Sequence, residues 1–408
     1  MNDLEIKIKT LTPLWTGGVD QTCDRLHETG LIGSLRWWYE ALVRGLGGYA
    51  CDPTSEDSES RCAFDSRAYE KAKSDGCSEQ EALNRGLKTI CPVCYLFGTT
   101  GWARLFQLRV KDVPTTPLHF RTSSRTNEEW LRRVFGGESS NIDSIKVPYG
   151  TITIQLTFRR PYKEYAIRQI ALILRIIAGY GGIGARIQHG FGQIQFPSEL
   201  NEYSFQQALG ELRTKLEEGS LHSTGPKIDT PFSLQNLIVL NYQVPSKSLA
   251  VFINSRTHIG REEKKQETRY IPCVFDLRYK GKRKFGMRRW LKQQGWSESS
   301  DPKKLEELDR LLGPRSEWKH EGQTLQIDKD MRTAGRVFFS MPYKRENEES
   351  YCLRVFAFWS EDISSRLPNS ESLKKLCKDY MRSAFDDIEP VLEISGQEIL
   401  NSDPQEET

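Results

Sequence analysis

No apolar run in the sequence approaches the ~20 residues that cross a bilayer. Its first residues alternate polar and apolar side chains, where a secretory leader would carry a basic patch and a continuous apolar core. A membrane-spanning or exported protein is therefore not expected, and the chain reads as cytoplasmic. Histidine is scarce, six in 408 residues. No His-Glu-x-x-His or His-x-Glu lies near the cysteines, which removes the usual donor set of a zinc hydrolase. No Gly-Lys-Ser/Thr follows a glycine loop, so a nucleotide-binding P-loop is absent. A large excess of one charge is lacking too: 58 Lys and Arg face 55 Asp and Glu, a formal charge of +3. A free-standing nucleic-acid binder is commonly more basic, so any argument for one must rest on where the charges sit.

Cysteine, by contrast, is plentiful and unevenly placed. Five of the nine cysteines fall between Cys51 and Cys94. A reducing compartment argues against a disulfide framework. Cys91-Pro92-Val93-Cys94 is a CxxC knuckle, and Cys51 and Cys62 lie upstream in the same long insertion. Four thiolates around a tetrahedral zinc ion would anchor a polar insertion that otherwise has little core, so Cys51, Cys62, Cys91 and Cys94 are the expected structural zinc ligands. Cys77 is the alternative to one of them, and buried free thiols are the plainer reading. Cys23, Cys273, Cys352 and Cys377 are isolated and read as core or surface thiols. The knuckle is not expected to open a helix after a strand, so a thioredoxin-type role is not indicated.

Periodicity supplies the order of elements. Leu4, Ile6 and Ile8 alternate with charged residues, as do Phe106, Leu108 and Val110, and later Ile152, Ile154, Leu156 and Phe158: three half-buried strands. Ile32, Leu35, Tyr39, Leu42, Val43 and Leu46 recur at helical spacing before Gly47-Gly48, and Ile167, Ile170, Ala171, Leu174, Ile177 and Ala178 mark a second helix. A short strand at residues 193–196 completes β-α-β-β-α-β, the ferredoxin-like order shared by RNA-recognition modules. Two insertions, residues 49–90 and 113–148, interrupt it. The order starts again at Ile238, Leu240, Tyr242 and Val244. It continues through a basic helix at Trp290-Leu291, strands at 337–341 and 353–359, a helix carrying Leu373, Leu376, Tyr380 and Met381, and an apolar segment at 391–394. The expected fold is thus α+β: a ferredoxin-like domain at residues 1–197 with a Cys-rich insertion, a helical linker at 198–230, a second ferredoxin-like domain at 231–396, and an acidic disordered tail at 397–408.

Three segments carry candidate binding chemistry. In Gly181-Gly182-Ile183-Gly184-Ala185-Arg186-Ile187-Gln188-His189-Gly190-Phe191-Gly192, exposed backbone N–H groups can form a concavity for phosphate, and Arg186 and His189 add donors. Phe191 either braces this loop or stacks on a base, and a tight connection between helix and strand is the plainer alternative. Gly30, Gly33 and Arg36 lie on the helix of Leu31-Ile32-Gly33-Ser34-Leu35-Arg36-Trp37-Trp38-Tyr39, where one tryptophan is expected in the core and the other near the surface. Residues 277–290 contain seven cations and no acid, among them Lys282, Arg283, Lys284, Arg288 and Arg289, interleaved with Tyr279, Phe285 and Trp290. Cations for phosphates beside aromatics for bases suit single-stranded RNA, although a solvated charged face is the commoner meaning of such a run.

Four motifs together resemble the RAMP superfamily of CRISPR proteins: the Thr12-Pro13-Leu14 start with Gly17-Gly18, Gly33-Ser34-Leu35-Arg36-Trp37-Trp38, Leu96-Phe97-Gly98, and the long glycine segment. Arg332-Thr333-Ala334-Gly335-Arg336 and Leu353-Arg354-Val355-Phe356-Ala357-Phe358-Trp359 extend the likeness into the second half, where it is similar to the first, two-domain subunit of type III-B (Cmr) effector complexes. His189 stands where that pattern leads one to expect a second basic residue. The resemblance implies an RNA-binding, non-catalytic subunit in antiviral defence that grips RNA near the 3′ end of the guide, with crRNA, target RNA and other Cmr or RAMP subunits as partners. It implies that target cleavage belongs to another subunit. The RNA-binding residues expected from the motifs and the resemblance are Arg36, Gly182, Gly184, Arg186, His189, Lys282, Arg283, Lys284, Arg288, Arg289, Arg332 and Arg336, with no catalytic residue. Zinc sites in related RAMP backbone proteins agree with the cysteine reading. The alternative is a RAMP-type endoribonuclease that processes CRISPR RNA, for which His27 near Tyr39 would be the acid–base candidate.

Overall fold

A computed structural model describes the chain apart from residues 1–2, 18–22, 24, 56–60, 118–119, 122–145, 226–229, 246, 250–270, 273, 279–285, 302, 315–316, 321–322, 327–332, 346–349 and 402–408. Lys282, Arg283, Lys284 and Arg332 lie outside the described residues.

The first unit is built from strand β1 (Asp3–Lys9), helix α1 (Glu28–Gly45), the insertion helices α2 (Ser66–Ser74), α3 (Glu79–Leu87) and α4 (Pro92–Phe97), strands β2 (Phe106–Asp112) and β3 (Thr151–Phe158), and helix α5 (Lys163–Tyr180). β3 pairs antiparallel with β1 on one side and β2 on the other. The expected fourth strand is reduced to an isolated bridge, Thr10 with Ile194. Hydrogen bonds from Gln195 N to Lys9 O (2.9 Å) and from Leu11 N to Gln193 O (2.8 Å) keep it beside β1. The spatial order is therefore fourth–first–third–second, as a ferredoxin-like sheet requires. Inward-facing Ile6, Ile8, Leu108, Ile152, Ile154 and Leu156 join Leu31, Leu35, Ile170, Leu174 and Ile177 in one core, so α1 and α5 cover one face of the sheet.

Helix α6 (Phe205–Glu217) leads to the second unit: strand β4 (Leu237–Val244), short helices α7 (Met287–Gln293) and α8 (Glu307–Leu312), strands β5 (Val337–Phe339) and β6 (Tyr351–Phe358), helix α9 (Ser370–Ala384), strand β7 (Leu392–Ser395) and helix α10 (Gly396–Asn401). The sheet order β5-β6-β4-β7 repeats that of the first unit. Here both faces are buried. Val337, Phe339, Leu240, Tyr242 and Val355 pack with α9 residues Leu373, Tyr380 and Met381. Leu237, Val239, Phe338, Phe356 and Phe358 face the first unit and join its core. The two ferredoxin-like units thus stack sheet against helix around α1.

One sequence reading changes, that of the acidic end, and the tryptophan pair and the insertion gain detail. Trp38 is buried and Trp37 only half-buried, and their rings meet Phe358 of the second sheet at 6.2 and 5.7 Å. The acidic end is not wholly a tail: residues 396–401 form α10, whose Ile399 and Leu400 are buried and whose Leu400 carbonyl accepts from Arg213 Nη2 at 2.7 Å. The Cys-rich insertion holds two further helices, capped by Asp65, which accepts from Ala68 N, and by a Ser78/Glu81 capping box.

Candidate metal centre and glycine loop

The four cysteines converge from three points of the chain. Cys51 follows the turn that ends α1, Cys62 lies before α2, and Cys91 caps α4 so that Cys94 lies on its first turn. The knuckle therefore does open a helix, with Pro92 in its first turn, but a loop rather than a strand precedes it. The sulfurs of Cys51, Cys62, Cys91 and Cys94 all lie within 4.8 Å of one another and all four residues are buried; those of Cys51 and Cys94 are 3.3 Å apart. A tetrahedral thiolate centre with metal–sulfur bonds of about 2.3 Å has sulfurs about 3.8 Å apart, so these positions bracket the required spacing. Cys77 is only half-buried and outside the group.

Backbone N–H groups and one arginine already point at these sulfurs. Cys91 N donates to Cys62 Sγ at 3.2 Å and Cys94 N to Cys91 Sγ at 3.5 Å. Arg36 Nη2 lies 3.3 Å from Cys94 Sγ and 3.8 Å from Cys51 Sγ. Hydrogen bonds from the other three thiols, together with Arg36, hold Cys94 far below the ordinary thiol range, and hydrogen bonding to its neighbours raises Cys91. Four buried sulfurs at this spacing form a donor set that suits one divalent ion. Arg36 was an expected RNA contact; its guanidinium instead faces the sulfurs and Glu40, whose Oε1 is 2.9 Å from Arg36 Nε.

The glycine loop lies at the other end of α5. Gly184 and Gly192 have φ of 89° and 88°, a region open to glycine alone at little cost. A Cβ at Gly184 would stand 2.7 Å from Trp15 O, and one at Gly192 would collide with Ile183 O. The N–H groups expected to cradle an anion are largely engaged within the protein. Ile183 N donates to Gly192 O (2.9 Å), Ala185 N to Trp15 O (2.7 Å) and Gly192 N to Pro13 O (2.9 Å). Gly184 N donates to Ser34 Oγ (2.9 Å) and Gln193 N to Thr12 Oγ1 (3.0 Å). Gly182 is buried, and its carbonyl accepts from Trp38 Nε1 at 2.8 Å. Phe191 is a brace: it is fully buried and meets Trp15 edge-on at 5.8 Å.

What the loop does present is Arg186. Its backbone is left-handed, φ 62° and ψ 22°, a conformation that a non-glycine residue holds only where its surroundings enforce it. The half-buried guanidinium lies 5.5 Å over the Trp15 ring, within cation–π range. His189 is only 8% exposed. Burial first, then Arg186 and Arg278, lower its pKa to about 3, so it is neutral and enclosed rather than a charged phosphate donor.

The second unit holds this loop. Met341 N donates to Gly190 O at 3.0 Å. Arg354, 1% exposed, spans both units: Nη1 reaches Ala178 O (2.9 Å), Gly181 O (3.3 Å) and Gln193 Oε1 (3.1 Å), and Nε reaches Asn241 Oδ1 (3.0 Å). A cation at the carbonyl end of α5 also meets the helix dipole favourably. Sequence reasoning missed this residue because β6 is buried on both faces and shows no alternation to mark Arg354 as exceptional.

The basic run divides on folding. Arg278 is buried, with Nη1 donating to Val337 O at 2.9 Å. Arg288 is buried against Glu298, Asp309 and the Gly313 carbonyl. Arg289 is exposed. Arg336 is mostly buried, 3.3 Å from Asp362 and 5.3 Å over the Phe232 ring. Arg278, Arg288 and Arg336 thus serve carbonyls, carboxylates and a ring inside the second unit, partners that linear charge pattern does not reveal.

Fold and loop define a tandem ferredoxin-like protein with a glycine-rich segment closing its first unit. The family model described as the RAMP superfamily matches residues 7–195. No curated protein matches the chain. Among solved structures it is similar to Cmr1 from Pyrococcus furiosus in its apo form, at 16% identity and a TM-score of 0.41, with 90% of this chain and 91% of that chain covered. It is also similar to a chain of the type III-B Cmr-β complex bound to cognate target RNA and AMPPnP in the presence of ssDNA, at 12% identity and a TM-score of 0.35, with 92% and 99% covered.

Proposed function

We propose that the chain is an RNA-binding, non-catalytic subunit of a type III-B (Cmr) CRISPR ribonucleoprotein effector, holding guide or target RNA near the 3′ end of the guide. The observation that carries this reading is Arg186, held over the Trp15 ring with a left-handed backbone in the glycine loop. A guanidinium on a rigid loop suits a phosphate oxygen. Exposed Arg289 is a second candidate contact in this reading, and Lys282, Arg283 and Lys284 precede it in sequence. Partners in this reading are crRNA, target RNA and neighbouring RAMP subunits.

Titration of the full-length protein with single-stranded RNAs of unrelated sequence, at several salt concentrations, tests the reading. Arg186→Ala should weaken binding about equally for every sequence and flatten the salt dependence by about 0.7 in log–log slope for one lost phosphate contact. Unchanged affinity and slope would remove this loop from the RNA surface. Metal-independent cutting of a CRISPR-repeat RNA by the pure protein, abolished by His27→Ala, would overturn the non-catalytic assignment.

The cysteine cluster is read as a structural zinc site held by Cys51, Cys62, Cys91 and Cys94. When bound, zinc would tie the segments that follow α1 and precede α2 to α4, and would supply no chemistry to RNA. The purified protein should contain about one zinc per chain, and Cys91→Ser with Cys94→Ser should abolish it; full zinc in that double variant would exclude these ligands.

A further inference from the structure

We propose that Arg36 is a positioning residue of the four-cysteine centre: its guanidinium offsets the negative charge of the sulfurs and holds Cys51 and Cys94 at ligand spacing. The inference rests on the metal reading of that cluster and assigns to Arg36 a role distinct from RNA contact.

The geometry has two parts. One end of the guanidinium addresses sulfur, with Nη2 3.3 Å from Cys94 Sγ and 3.8 Å from Cys51 Sγ. The other end is fixed by Glu40, one turn along α1, at 2.9 Å from Nε, and Nη1 lies 3.5 Å from Gly98 O. Glu40 is itself shared with Arg44 at 3.4 Å. The carboxylate thus serves to aim a cation at the two sulfurs, and the fork geometry of arginine is what lets one side chain meet both demands.

Charge explains why such a residue is needed. Four thiolates around a divalent ion leave two negative charges in a buried site, which is costly without a nearby counter-charge. Arg36 removes one of them, and N–H···S donation withdraws electron density from the ligands, as outer-sphere partners of metal ligands commonly do. The same helix continues into Trp37 and Trp38 and, through Trp38 Nε1, to Gly182 O at 2.8 Å, so the metal centre is fixed to the element on which both units are seated.

Zinc retention by full-length protein against a chromophoric chelator, together with the sulfur-to-metal charge-transfer band of the Co2+-substituted protein, tests this. Arg36→Met should weaken zinc retention about 10- to 100-fold and shift the Co2+ band. Arg36→Lys keeps the charge but cannot meet Glu40 and both sulfurs together, and should be several-fold weaker than wild type. Arg44→Met, which removes a Glu40 partner without touching sulfur, should leave the band unmoved. Wild-type retention and band in Arg36→Met would overturn the inference while leaving the metal reading intact. If Arg36→Met does not fold, unchanged retention and band in Arg36→Lys overturn it. A wild-type protein that holds neither zinc nor Co2+ overturns both readings.

Discussion

His189 is enclosed within reach of two arginines, and its imidazole stays neutral down to a pKa of about 3. In the unfolded chain the same group titrates near 6.5. The unfolded state therefore binds the extra proton first as pH falls. Stability is unaffected above about pH 6.5 and declines between there and about pH 3, by at most ~1.4 kcal/mol per pH unit. Urea midpoints at pH 7.5 and pH 5 should differ more for wild type than for His189→Asn, and equal differences would show that another group governs the acid limb. For the same reason His189→Arg should destabilise the protein by a few kcal/mol, because a permanent charge enters an enclosed site already beside cations. From residue type alone, that substitution would be expected to strengthen a phosphate contact. Type was legible in the sequence; enclosure, which decides the sign, was not.

At the level of elements, the strands and helices were largely readable because most lie half in water and half in a core. β1, β2 and β3 announce themselves by alternation and α1 and α5 by helical spacing. β6 does not alternate, since Phe356 and Phe358 face the first unit while Val355 and Ala357 face α9. Arg354 sits in that doubly buried strand, and Arg354→Met should cost about 2–4 kcal/mol, since the Ala178 and Gly181 carbonyls and Gln193 would lose a charged donor. Chemical denaturation measures the loss, and a change under about 1 kcal/mol would show that water replaces the guanidinium. Gly192→Ala should also be destabilising, since its φ is 88° and its Cβ would press on Ile183 O; an unchanged melting temperature would contradict that strain.

On the scale of the whole molecule, the two units share a core rather than touch. Trp37 and Trp38 sit between α1 and the second sheet, Met341 and Arg354 hold the glycine loop, and α10 returns to pack Ile399 and Leu400 among first-unit residues. Thermal unfolding followed at once by tryptophan fluorescence and by far-ultraviolet dichroism should show one coincident transition; two separated midpoints would mean that the units unfold independently. Residues 1–197 expressed alone should melt at a markedly lower temperature or aggregate, because the seam tryptophans lose their cover.

By itself the sequence determined the features set by local period and short-range spacing: the order of strands and helices, the CxxC knuckle, the glycine segment and the cysteines crowded into one insertion. These need only neighbours within a turn or a strand to be read. The tertiary structure alone decided how the charges were used. It turned Arg36 toward sulfur, enclosed His189, and drew Arg278, Arg288, Arg336 and Arg354 inward to carbonyls and carboxylates tens of residues away. A buried arginine and a solvated one look alike in sequence, because the partner that makes burial tolerable is supplied by the fold and not by the flanking residues.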